Sequence, residues 1–70
     1  MLREAIIARQ KLFVPGSHVQ LLEMMADPFV PLPKGLKGIV RWVDDIGTVH
    51  IQWDNGSSLG AVLEDKIQLI

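Results

Sequence analysis

The chain has 70 residues, no cysteine and a net charge of −1, with 49% of its residues hydrophobic. That is one domain near the lower limit at which an apolar core suffices without staples. Disulfide frameworks, thiol chemistry and cysteine-ligated zinc are excluded, and the charge balance lacks the basic field that drives non-specific nucleic-acid binding. No apolar run approaches the roughly 20 residues needed to cross a bilayer, and no long apolar core of a secretory signal is present. These features fit a soluble cytoplasmic domain, with no membrane partner and no cofactor expected.

Residues 1–14 read as an N-terminal extension and residues 15–70 as the domain proper. In the extension Leu2, Ala5 and Ile6 have helical spacing, with Arg3, Glu4, Arg9 and Lys11 among the apolar residues. A short amphipathic helix lying on the domain or on a partner is one reading, and a mobile tail is the other. Pro15-Gly16 then breaks any regular element.

Val19 and Leu21 alternate with His18 and Gln20, the period of a half-buried strand. The following stretch holds Pro28, Pro31 and Pro33, which fix torsions and remove amide donors, so it reads as a long ordered loop. Phe29 and Leu32 are expected to anchor it inward. Strands are expected over residues 38–43, 48–53, 58–62 and 67–70. Asp44-Asp45-Ile46-Gly47 turns the chain between the first two, and Leu63 to Lys66 makes a tight connection before the last. Asn55-Gly56 favours a type I′ hairpin, with positive φ at both central residues.

Five short strands, one long loop and tight hairpins give an all-β fold, a small five-stranded SH3-like barrel with the short extension in front of it. The expected core is Val19, Leu21, Val40, Val43, Val49, Ile51, Trp53, Leu59, Val62, Ile67 and Leu69. If Val40 and Val43 both point inward, the strand needs a bulge or a strong twist, and Trp42 is left partly exposed as a contact anchor. The competing reading places Trp42 in the core.

Gly38-Ile39-Val40, Val43 to Ile51 and the run Trp53-Asp54-Asn55-Gly56-Ser57-Ser58-Leu59-Gly60 resemble the small bacterial and phage family called domain of unknown function 4314. Met24 or Met25, Asp27-Pro28 and Pro31 to Gly35 match that family's order of methionine, Asp-Pro and proline-rich loop. The resemblance runs from about His18 to Ile70. It implies an SH3-like barrel and a setting in bacteria, phages or mobile elements, and it implies no biochemical activity. The family tends to carry a glycine before its last acidic residue, where this chain has Leu63-Glu64-Asp65.

Asp44, Asp45, Asp54, Asn55, Glu64 and Asp65 raise the question of a carboxylate pair or a calcium loop. The two aspartate-bearing turns cap opposite ends of one strand and so lie roughly 20 Å apart, against at most about 9.5 Å for paired catalytic carboxylates. Turn capping explains these residues instead. His18 and His50 are expected on outward strand faces with no carboxylate at ligand spacing. Ser57 and Ser58 lack the setting of a nucleophile. No catalytic or metal site is expected.

Lys34, Lys37 and Arg41 beside Trp42 form the basic–aromatic grouping of the chain. The expected function is a non-enzymatic interaction or assembly module, binding a protein partner or a second copy of itself through Trp42, the proline loop and the extension. The candidate contact residues are Trp42, Lys34, Lys37, Arg41 and Phe29. The alternative is a weak nucleic-acid-binding accessory protein of a mobile element, using the three basic residues and Trp42.

Overall fold

The structure is a computed structural model in which residues 2–25, 31–62 and 65–70 are described. Among these residues the structure is mostly β, with one helix. The helix α1 spans Leu2–Leu12, with Glu4 in its first turn and Arg9 and Lys11 in its last, the charge order that complements the helix dipole. Phe13 donates the last helical bond to the Arg9 carbonyl, and Val14-Pro15-Gly16-Ser17 then turns the chain. Gly16 sits at φ 90°, which with Pro15 ahead of it makes a type II turn. The extension is therefore a helix and not a mobile tail.

Strands β1 (His18–Leu21), β2 (Lys37–Val43), β3 (Val49–Trp53) and β4 (Ile67–Leu69) form an antiparallel sheet in the order β3-β2-β1-β4. The loop between β1 and β2 is pinned at its base. Met25 and Leu32 exchange both backbone hydrogen bonds at 3.0 Å, and Leu32 is fully buried, as expected. Phe29, the other expected anchor, lies outside the described residues, as do Leu63 and Glu64 of the final connection.

Instead of the strand expected over 58–62, this segment makes a single bridge among the described residues, Ala61 with Val49. Side chains take its backbone groups instead. Ser57 Oγ accepts from the Leu59 N–H, and the Leu59 carbonyl accepts from the Trp53 indole at 2.8 Å. Such local bonds compete with a ladder.

The Asn55-Gly56 hairpin also differs from expectation. Gly56 has φ 89° but no non-glycine residue among those described, Asn55 included, has positive φ, so the turn is not type I′. Gly56 donates to the Trp53 carbonyl and Trp53 donates to the Ser57 carbonyl, which is a type I turn closed by a glycine bulge. Asn55 Oδ1 accepts from the Ser57 N–H, a bond that the side chain makes without a left-handed backbone. Asp44 to Thr48 repeats the pattern: Gly47 donates to the Asp44 carbonyl, Asp44 donates to Thr48, and Gly47 has φ 86°.

The core contains Val19, Leu21, Val40, Val49, Ile51 and Trp53, all expected there, together with Phe13, Met25, Leu32 and Ala61. Val43, Leu59 and Ile67 pack against it half-buried. Val62 and Leu69 do not belong to it and are exposed. Leu69 pairs with Val19 and shares its face of the sheet, but β4 is the last strand on that side of the order.

Candidate interaction surface

The register of β2 on β3 passes from Val40–Ile51 to Trp42–His50, so Arg41 is the extra residue of a bulge. The bulge lets Val40 stay buried and Val43 pack on the core, while Arg41 and Trp42 are both turned to solvent. Trp42 is 53% exposed, so it is not a core residue.

Its orientation is set by a chain of contacts. The indole stacks on the His50 ring with centroids 4.6 Å apart and planes 6° from parallel. His50 Nε2 lies 2.9 Å from Asp44 Oδ2. The other oxygen of Asp44 accepts from the Ile46 and Thr48 N–H groups of its own turn. The hydrogen bond with His50, helped by those two backbone donors, holds the Asp44 carboxyl below the usual carboxylate range, and partial desolvation opposes the shift only in part.

The expectation that His50 lacks a carboxylate partner is thus corrected. The two residues are six apart in sequence, but the hairpin brings the top of β3 against the turn that Asp44 opens.

Helix α1 is tied to the same turn. Gln10 donates to the Asp44 carbonyl, and Arg9 donates from Nε to the Gly47 carbonyl at 2.9 Å. The Arg9 Nη2 group reaches the Val62 carbonyl at 2.9 Å and the Ala61 carbonyl at 3.3 Å, while its guanidinium carbon lies 5.4 Å from the centre of the Phe13 ring. Burial pulls the Arg9 pKa down and the charge of Asp65 pushes it back up. The helix is held by polar tethers and has no buried residue of its own. Leu2, Ile6 and Ile7 line an open groove of about 560 Å³ with Arg3, Gln10 and Asp45. Ile46, beside Asp45, is 72% exposed.

The expected basic residues do not gather around Trp42. Lys34 lies in the Pro33–Leu36 turn, whose Leu36 N–H donates to the Pro33 carbonyl, and Lys37 pairs with Gln20 at the start of β2. Arg41 alone adjoins Trp42; Lys37 is about 16 Å away at roughly 3.3 Å per residue. All four are exposed. Among the described residues no group of three or more histidine, aspartate or glutamate side chains could hold a metal ion, and no helix is long and apolar enough to cross a membrane.

A family model described as "Domain of unknown function (DUF4314)" matches residues 3–70. The chain belongs to that family. The match takes in α1 as well as the sheet. Neither a curated protein nor a solved structure matches the chain.

Proposed function

We propose that this member of the DUF4314 family is a non-enzymatic interaction or assembly module of bacterial or phage origin, working in the cytoplasm. Its contact surface runs from Trp42 across the β2–β3 turn to the outer stripe of α1. The observation that carries the reading is Trp42, an aromatic side chain kept half in solvent and held flat by His50 and Asp44. Aromatic anchors of limited side-chain freedom dominate protein contacts, because little entropy is lost when they are covered.

We place this surface on an SH3-like barrel. The sheet order with Ala61 bonded beside β3 supports that plan, because the strands would then run fifth, first, second, third, fourth across the sheet. The separation of Asp44 and Asp54, which open turns at opposite ends of β3, supports a role without acid–base chemistry.

A photo-crosslinking residue at position 42 of the full chain, expressed in its host, tests the reading. Discrete adducts from position 42 and none from Asn55 at the hairpin tip are expected. A chain that gives no adduct at position 42 would have no use for the surface, and the reading would fall.

The nucleic-acid reading has one observation in its favour: the bulge sets Arg41 and Trp42 on the exposed side of β2 with Lys37, and Lys34 leads into the same strand. Three cations spread over that length give a weak, steeply salt-dependent contact. A gel shift with single-stranded and duplex probes at low salt reads it directly, and no shift removes it.

A further inference from the structure

The face formed by α1 and the β2–β3 turn has the character of one half of a two-fold contact. Leu2, Ile6 and Ile7 form its apolar wall, and Arg3 and Asp45 line the same groove with opposite charges. Neither Arg3 nor Asp45 has a side-chain hydrogen bond or ion pair among the described residues. A two-fold contact requires one patch to complement itself, so that residue i meets j and j meets i. A groove that carries a cation, an anion and an apolar wall has the components for that requirement. In such a contact Arg3 of each copy would face the other copy's Asp45, and apolar residues would lie on apolar residues.

We propose that the occupant of this face is a second copy of the chain, packed α1 against α1 in antiparallel fashion, with two reciprocal Arg3–Asp45 pairs closing the groove. The inference rests on the interaction-module reading and names the partner for it. Size sets the strength of the contact. A standard interface takes about 800 Å² from each partner, roughly a sixth of this chain's 4718 Å². An 11-residue helix is about 16 Å long and about 10 Å across, too small a footprint to supply that area alone. The contact therefore extends over Ile46 towards Trp42, and the dimer is of the weak class that dissociates on dilution. A net charge of −1 per chain leaves little repulsion between copies.

Sedimentation equilibrium on the full chain, from micromolar to millimolar concentration, reads the association. A reversible monomer–dimer equilibrium is expected. Arg3→Asp or Asp45→Arg alone should weaken it about five-fold or more, and the two together should restore it. Ile7→Glu should abolish it, and Glu23→Lys, a charge reversal at an exposed residue away from the groove, should leave it unchanged. Far-ultraviolet circular dichroism confirms that each variant keeps its helix and sheet.

A chain that is monomeric throughout overturns the proposal, as does a dimer indifferent to the Arg3 and Asp45 reversals. A monomer that still gives an adduct with another protein at position 42 overturns the dimer and leaves the module reading standing. A monomer that gives no adduct removes both.

Discussion

The Trp42 indole lies on the His50 imidazole with their planes 6° apart, and His50 is in turn held by Asp44 at 2.9 Å. Each member fixes the next: the turn orients the carboxylate, the carboxylate orients the imidazole, and the imidazole supplies a flat support for the indole. Half of the indole still meets solvent. The stack thus limits the motion of an exposed aromatic without hiding it, a useful property for a contact residue.

Removing the support should free the indole. His50→Ala is expected to lower stability by about 0.5–1 kcal/mol, the lower part of the range for aromatic pairs because this one is partly exposed. Near-ultraviolet circular dichroism should lose the Trp42 contribution and keep that of Trp53, which is buried and bonded to the Leu59 carbonyl. A near-ultraviolet spectrum unchanged by the substitution would show that the stack does not set the orientation of Trp42.

Asp44 gives the domain an acid-sensitive element. Its pKa is lowered from 3.8 in the folded chain, first by the His50 hydrogen bond and then by the Thr48 and Ile46 N–H groups. At pH values near and below 3.8 the unfolded chain therefore binds the proton more readily than the folded one. The stability that this carboxylate contributes is fully present above its unfolded value and is lost as pH falls through its lower folded value. Denaturant titrations from neutral pH down into that range should show the loss, and Asp44→Asn should flatten it. An equal acid slope in the Asn variant would assign the slope to other groups.

The alternation of apolar residues was enough to find β1, β2 and β3 and six fully buried members of the core. Placing both Val40 and Val43 inward required a bulge or a strong twist somewhere between them, and a register shift at Arg41 supplies it. What periodicity could not show were effects of side chains reaching across the fold. Ser57 Oγ and the Trp53 indole curl residues 57–59 away from a ladder that their sequence would otherwise allow. The Asn55-Gly56 pair signals a hairpin through its residue types, but its turn class depends on which backbone bond closes the loop. The His50–Asp44 contact and the Arg9 tethers join residues 6 to 53 positions apart, and nothing local in the chain announces them.

Gly38 should tolerate no side chain. It pairs with Val19 on one side and Trp53 on the other, beneath the indole. A Cβ there would sit 2.6 Å from Ile51 Cγ2, 2.9 Å from the Gln52 carbonyl oxygen and 3.0 Å from Trp53 Cε3. The carbonyl belongs to a paired strand and cannot give way. Gly38→Ala is expected to cost about 2–3 kcal/mol by overpacking, lowering Tm by roughly 10–20 °C for a domain this small. Gly56→Ala meets no atom within 4 Å and bears only the strain of its φ of 89°, so it should cost about 1–2 kcal/mol. Thermal melts of the two variants compare packing with backbone strain, and a milder Gly38→Ala would show that the strands can shift to admit a methyl group.

Arg9 should decide whether α1 stays docked. The helix buries none of its residues, and 11 residues are too few to be stable alone in water. Its attachment depends on Gln10 and on the Arg9 guanidinium, which spans carbonyls from two separate segments, Gly47 and the pair Ala61–Val62. A planar fork with donors on several nitrogens can bridge them, whereas a lysine ammonium on a flexible stem offers a single point of charge. Arg9→Lys should therefore behave much like Arg9→Ala. Both are expected to lose about 1–2 kcal/mol, since the site is only partly shielded from water. Both should also reduce the helical signal in far-ultraviolet circular dichroism and speed amide exchange in α1 more than in β2. A lysine variant with the exchange pattern of the parent chain would mean that apolar contact, chiefly Ile6 against the turn, holds the helix and that the guanidinium merely follows.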